Sequence, residues 1–329
     1  MTPTSPKVSI VIPIYGVECY IETCARSLFE QTLEELEYIF IDDCSPDKSV
    51  EVLQQVMNEY PHRKKQVIII RQPKNMGAAK AREVGIKVAH GEYIIHCDSD
   101  DWTERDMYRA MYEKAISQNS DIVVSMYSED RHGEDPKIIC QNFGLHPLYT
   151  IIGEPSKCSL FNKLVKSSVV APNLMEYPAH HMMEDYVICV QMFSRAKRID
   201  YVNKSLYHYR INASSICHKE SETSCIKRWN DAFENVKIVD RFFNEKDLLK
   251  KYKEELIMSK LNVRGFIWPL LKINMKYHKQ WRQTYPELNY LFLTSKKISS
   301  KMKLIFFLTL IGVYPIICKL KNILNYDME

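Results

Sequence analysis

The chain is 329 residues long, enough for one large domain or two modest ones. Hydrophobic residues make up 46% and charged residues 26%, and only nine glycines occur, which excludes Gly-rich linkers and low-complexity tracts. Net charge is only +4, but the positive excess is gathered toward the C-terminus.

A strand over Val8–Pro13 begins almost at once, and no signal peptide is expected. A helix over Val17–Gln31 follows, with Tyr20, Cys24 and Leu28 on one face. The second strand, Tyr38–Ile41, ends in Asp42-Asp43, and Pro46 and Asp47 open a second helix that runs to Tyr60. Val67–Ile70 is the third strand, Ala78–Ala89 the third helix and Tyr93–Cys97 the fourth strand. Glu104–Gln118 is a helix and Asp121–Met126 a fifth strand. Strands recurring at roughly thirty-residue intervals with helices between them predict an α/β fold with a doubly wound, mostly parallel sheet. The turn-like stretch Ser128 to Leu148 marks a change of architecture. Shorter pieces follow at Lys163–Val170, a helix near Asp185–Phe193, and strands at Ile199–Val202 and Leu206–Arg210. From Thr223 the sequence is helical and basic. No internal repeat is present.

Ten cysteines stand singly and form no CxxC pair. This speaks against a disulfide framework or a zinc site and for reduced thiols in a cytosolic protein. Cys19, Cys24, Cys97 and Cys189 lie in apolar contexts and are expected to be buried.

Chemistry concentrates where strands give way to loops, the place where open α/β sheets bind ligands. The apolar run Tyr93–Cys97 ends in Asp98-Ser99-Asp100-Asp101, three carboxylates within four residues. Like charges this close repel unless a divalent cation sits among them, and hard oxygen ligands suit magnesium or manganese. The alternative is a solvated acidic turn with Asp101 as N-cap of the next helix. Asp42-Asp43 offers the same choice between ligand contact and helix capping. In Asn75-Met76-Gly77-Ala78-Ala79-Lys80-Ala81-Arg82, a glycine turn leads into a helix with two basic residues, a setting for a diphosphate or an ordinary helix start. Glu184-Asp185 opens an apolar helix, either as dipole chemistry or as a rigidly held general base. In Tyr207-His208-Tyr209-Arg210, strand alternation puts the two tyrosines on one face and His208 and Arg210 on the other. That second face is either a polar sheet surface or a donor to a phosphate or metal.

Taken in order, these segments resemble glycosyltransferase family 2, nucleotide-sugar-dependent enzymes of the GT-A fold. The resemblance covers roughly residues 7 to 215. It rests on Val8-Ser9-Ile10-Val11-Ile12-Pro13-Ile14-Tyr15, on Ile41 to Asp47, on Asn75-Met76-Gly77 with Ala81-Arg82, and on Gly91 to Trp102, which is similar to a DxD-type metal motif. Asn162-Lys163 and Glu184-Asp185 resemble the acceptor-side and catalytic-base segments. The sequence departs from the family pattern at Gly16, where Asn is usual, Cys44 (Gly), Glu83 (Asn) and Arg105 (Pro). A side chain at Cys44 puts base preference in question.

The resemblance implies a role for each residue. Pro13 and Tyr15 would border the nucleobase, by likeness uracil, with Asp43 accepting a hydrogen bond from it. Arg82, Asp98 and Ser99 would line the nucleotide sugar, and Asp100 would hold Mn2+ or Mg2+. Asp185 would be the catalytic base of an inverting transfer to a saccharide or lipid-linked saccharide. Lys80, Glu184, His208 and Arg210 are candidate diphosphate or acceptor contacts. The implied division is 1–127 for the donor half, 128–218 for the acceptor and base half, and 219–329 for a helical basic extension. Bacterial surface-polysaccharide synthesis would be the setting. A rival assignment is a metal-dependent phosphohydrolase with Asp98 as nucleophile and Asp100 as acid. An inactive sugar-nucleotide-binding relative is a further alternative.

From Lys260 to Lys321 there are twelve Lys or Arg against one acid, Glu287, which points to an anionic surface. Within this region Leu304–Cys318 holds fifteen uncharged residues, shorter than the roughly 18 to 20 that a span needs and interrupted by Pro315. The segment 302–318 is therefore expected to lie in a membrane surface, or else to pack as a helix on the protein. A peripheral location on the inner face of a bacterial membrane follows, with no nucleic-acid partner expected.

Overall fold

The computed structural model describes residues 5–211, 221–271, 276–296, 298–313 and 316. The chain divides into two compact units that interleave in sequence. The first holds 1–143, 157–179 and 185–213, and the second holds 144–156, 180–184 and 214–329.

The first unit opens with β1 (Val8–Ile14), α1 (Ile21–Phe29), β2 (Leu36–Asp42), α2 (Ser49–Glu59), β3 (Val67–Arg71), α3 (Ala78–Val88) and β4 (Tyr93–His96). It continues with β5 (Trp102–Thr103), α4 (Met107–Gln118), β6 (Ile122–Asp130) and β7 (Lys137–Ile139). After α5 (Pro147–Gly153), which belongs to the second unit, come β8 (Lys163–Lys166), α6 (Glu184–Arg195) and β9 (Ile199–Arg210). The strands form one sheet in the order β3-β2-β1-β4-β8-β6-β9-β5, with β7 paired to β6.

The expected mostly parallel α/β sheet is present. Pairing is parallel through β3-β2-β1-β4 and again between β6 and β9, while β8 runs antiparallel to both β4 and β6. β1 and β2 are covered on both faces, which is why they read as nearly unbroken apolar runs rather than as alternation. Ile10, Ile12, Tyr38, Phe40 and Ile95 share one core with Cys24, Leu28 and Phe29 of α1. Gly91 lets β4 begin tight against β1, because a Cβ there would lie 2.5 Å from the Ser9 amide nitrogen.

Several boundaries differ from the sequence-based expectation, each for a local reason. α1 starts at Ile21 because residues 18–20 form a turn, and Cys19 on that turn is exposed, whereas Cys24, Cys97 and Cys189 are buried. α2 starts at Ser49 because Asp47 holds the preceding loop, accepting from Ser45 Oγ, Ser49 Oγ and the Glu18 amide. α4 starts at Met107 because Trp102–Thr103 is drawn out as β5 against β9. The two strands expected at 199–202 and 206–210 are one strand, with its irregularity opposite Ser125, Met126 and Tyr127 of β6.

The second unit adds α7 (Glu222–Glu245), α8 (Lys253–Gly265), α9 (Trp268–Leu271), α10 (Lys276–Gln283), α11 (Leu288–Thr294) and α12 (Ser300–Leu310). Ser221 and Ser299 cap α7 and α12 by accepting from the amides of Ser224 and Met302. Cys225, Ile267, Leu270, Leu271, Tyr277 and Trp281 form its core, and Phe306 and Leu310 of α12 pack against them.

Cys44 follows the β2 tip in the left-handed region, at φ 58°, where glycine is at ease and an L side chain is not. That conformation costs a non-glycine residue about 1–2 kcal/mol, while glycine costs about 0.4–1 kcal/mol through the freer unfolded chain. Cys44→Gly should therefore stabilise the protein by about 0.5–1 kcal/mol in urea unfolding, and a clear loss of stability would contradict this account.

Candidate active site

Because β1 lies between β2 and β4 in parallel register, the C-terminal tips of all three strands meet. The Asp43 amide donates to Ile14 O at 3.0 Å, and Ser99 Oγ donates to Pro13 O at 2.7 Å. Pro13 and Tyr15, the latter half exposed, thus sit between the β2 tip and the acidic loop.

Asp43 is buried, and its carboxylate organises the loop after β3. Oδ1 accepts from Gln72 Nε2 and the Met76 amide, and Oδ2 accepts from the Gly77 amide, each at 2.7 Å. Gly77 turns its amide inward at φ 91°, a conformation open to glycine. Neither aspartate of the pair caps α2 directly. Asp42 accepts from the Ser45 amide and faces Arg71.

The loop so pinned leads into α3, whose Arg82 is 4% exposed. Its guanidinium donates from Nη2 to Asp98 Oδ1 at 2.8 Å and from Nη1 to Asp185 Oδ1 at 3.2 Å. One side chain from the third helix therefore joins the acidic loop to the start of α6. Asp185 keeps 35% of its side-chain surface open. Glu184 precedes it as the first residue of α6.

The acidic loop is fastened from β9. Asp101 is fully buried, its Oδ2 accepting from Tyr207 OH at 2.7 Å and its Oδ1 from the Arg210 amide at 2.8 Å. The Asp98 amide donates to the same tyrosine hydroxyl at 3.1 Å. Asp101 is thus no N-cap for the following helix, because β9 takes up both its oxygens. Arg210 donates from Nε to Asp100 O at 2.9 Å and lies over the Trp102 ring at 4.6 Å. The alternation expected in this strand holds. Tyr207 stacks on Phe161, while His208 stacks on Trp102 and reaches Glu104, Ser128 and Asp130. Lys80 pairs with Glu83 at 2.8 Å.

The resemblance placed Asn162-Lys163 in the acceptor-side segment, without foreseeing that the lysine is buried. Lys163 is 1% exposed, and its ammonium donates to Ser159 O at 2.6 Å, to Gln141 Oε1 and Asn162 Oδ1 at 3.0 Å, and to Lys157 O at 3.1 Å. Burial lowers its pKa, and the Cys189, Cys158 and Asp185 groups work against that shift. The signal was the lysine itself, since an ammonium in an apolar segment must find oxygen partners.

Burial raises two carboxyls to about 6. For Asp100 the neighbouring Asp98 adds to the effect and Arg210 opposes it; for Asp185, Arg82 opposes it and Asp98 adds. Asp101 is pushed well above the usual range by burial and then by Asp100 and Asp98. Among the described residues no group of three or more His, Cys, Asp or Glu forms a ready metal cage. Asp98 and Asp100 are each partly exposed. Two carboxylates fit magnesium or manganese, which take the rest of their shell from water and phosphate oxygens.

An acidic loop and a carboxylate from a later helix, meeting at the strand tips of this sheet, define a glycosyltransferase of the GT-A fold. The model of glycosyl transferase family 2 matches residues 9–161, just under half of the chain, and the chain is similar to that family over this stretch. It is 29% identical over 262 residues to the putative glycosyltransferase EpsH of Bacillus subtilis, covering 77% of this chain and 73% of that one. It is 31% identical over 210 residues to the poly(ribitol-phosphate) beta-glucosyltransferase of Bacillus spizizenii, covering 62% of this chain but 32% of that one. The crystal structure of Staphylococcus aureus TarS 1-349 in complex with UDP-GlcNAc shares the fold, with TM-score 0.70, 18% identity, and coverage of 97% of this chain and 92% of that one. A phosphohydrolase is not favoured, since Asp98 is held in an ion pair with Arg82.

Asp100 and Asp185 hold protons more tightly in the folded than in the unfolded chain between about pH 4 and 6. Their contribution to stability is greatest below that window and is lost as pH rises through it. Asp47, held at about 2 by hydrogen bonds that outweigh its burial, acts in the opposite sense. Relative to an Asp100→Asn/Asp185→Asn double variant, the wild type should lose unfolding free energy as pH rises from about 4 through 6. Thermal unfolding of both proteins across that range checks the sign.

Proposed function

We propose that the enzyme transfers a sugar from a nucleoside diphosphate sugar, with UDP as the nucleotide, to a hydroxyl of a saccharide or lipid-linked saccharide, inverting the anomeric centre. The observation that carries this reading is the Arg82 bridge, which holds Asp185 beside the acidic loop although the two residues are 103 positions apart. The UDP-GlcNAc complex of TarS supports the donor class, and the polymer-modifying relative from Bacillus supports a bacterial surface polymer as the acceptor.

In this reading Pro13 and Tyr15 flank the base, and Asp43 shapes its pocket and keeps acceptor capacity on Oδ2. Ser99 and Asp98 line the sugar nucleotide. Asp100, with Asp98 beside it, would hold manganese or magnesium. When bound, such a cation neutralises charge developing on the departing diphosphate. Asp185 accepts the proton of the acceptor hydroxyl as its oxygen bonds to the anomeric carbon and the bond from that carbon to the diphosphate oxygen breaks. Arg82 orients the base, and Arg210 is placed to meet a phosphate or the acceptor. Lys80, Glu184 and His208 stand as further candidate contacts.

Positioned proton transfer contributes about 10²–10⁴-fold, so Asp185→Asn should lower turnover by that factor while donor affinity changes little. Transfer or donor hydrolysis, followed with a panel of nucleotide sugars, reads this directly, and undiminished turnover would remove Asp185 from the role. Asp100→Ala should abolish the manganese-dependent part of donor binding in calorimetry. Unchanged manganese-dependent binding would move the cation elsewhere.

A further inference from the structure

α12 presents two unlike faces. Phe306 and Leu310 pack against the core of the second unit, and Thr309 beside them is buried. The outward face carries Leu304, Phe307 and Leu308, with Ile311 at the helix end, which is i, i+3, i+4, i+7 spacing and so one continuous stripe. Leu304 is 57% exposed, Phe307 44% and Ile311 54%. At 3.6 residues per turn, Lys301 and Lys303 fall on opposite flanks of that stripe. α11 packs beside α12 and adds exposed Tyr290 and Leu293, with exposed Lys296 just after it.

An apolar stripe with a lysine on either border is the pattern of a helix lying in a lipid interface, where the apolar side chains enter the acyl boundary and the ammonium groups remain at the headgroups. No helix among the described residues is long and apolar enough to cross a membrane. The positive charge selects the occupant. A second copy would bring its own lysines against these, whereas an anionic lipid surface complements them. Of the two arrangements expected for 302–318, packing on the protein is seen on one side of α12, and the other side is open. Residues 314–315 and 317–318 lie outside the described residues.

We propose that the outward face of α11 and α12 docks on an anionic membrane surface, with Leu304, Phe307 and Ile311 inserted and Lys296, Lys301 and Lys303 meeting the headgroups. This goes beyond the transfer reaction and does not depend on the identity of donor or acceptor.

The test is sedimentation of the full chain with phosphatidylcholine vesicles with and without phosphatidylglycerol. The protein should bind only the anionic vesicles. Lys301→Gln and Lys303→Gln should each weaken binding about fivefold, and Leu304→Ser/Phe307→Ser about tenfold or more. Circular dichroism should match wild type, since all four positions lie outside the packed face. Binding by the unaltered protein should also fall as salt is added, a readout that needs no variant. Equal binding to neutral vesicles, no binding to either, salt-insensitive binding, or a wild-type dimer that Leu304→Ser/Phe307→Ser abolishes would overturn the proposal. Failure of nucleotide-sugar binding in calorimetry would count against the transferase reading and leave this one standing.

Discussion

The site depends on one buried guanidinium. Arg82 is withdrawn from water at the start of the third helix, and that desolvation costs several kcal/mol unless opposite charges offset it. Asp98 and Asp185 provide the offset, one from a strand tip and one from a later helix. That guanidinium thereby sets the distance between the acidic loop and Asp185. The arrangement also keeps the carboxylates from being a simple acidic cluster. One positive charge lies between two negative ones, and Asp100 remains beside them with its own charge offset only in part, by a backbone hydrogen bond and Arg210.

A second level of fastening comes from β9, far along the chain. Tyr207 holds the loop at Asp98 and Asp101, and the Arg210 backbone and side chain hold it at Asp101 and Asp100. Asp101 thus belongs to the scaffold although it stands next to a residue proposed to hold the metal. Asp43 works the same way on the other side, where its three accepted hydrogen bonds pin the loop that launches α3 and with it Arg82. The carboxylates of the acidic loop therefore divide the labour. At the β2 tip both Asp42 and Asp43 are buried and accept from backbone amides, whereas in the acidic loop Asp101 is buried and Asp98 and Asp100 are partly exposed.

This division explains what could be read in advance. The parallel core was legible because β1 and β2, buried on both faces, are apolar throughout, and because helices of suitable length separate the strands. The clustering of functional groups at strand tips was legible from the topology. The antiparallel insertion of β8 between β4 and β6 was not, since a four-residue strand carries no mark of its partners. The buried state of Lys163 and the exposure of Cys19 also escaped, because local composition does not report how a loop turns.

The sequence by itself determined the family resemblance, the sheet, the order of the motifs and the basic character of the C-terminal helices, since these depend on periodicity, local propensity and charge along the chain. Only the tertiary structure decided which carboxylates are buried as fastenings, that Arg82 joins Asp98 to Asp185, and which side of α12 remains uncovered. The Arg82–Asp185 and Tyr207–Asp101 links join residues about a hundred positions apart, and the covered side of α12 is set by packing against the core of the second unit, distances that local sequence cannot encode.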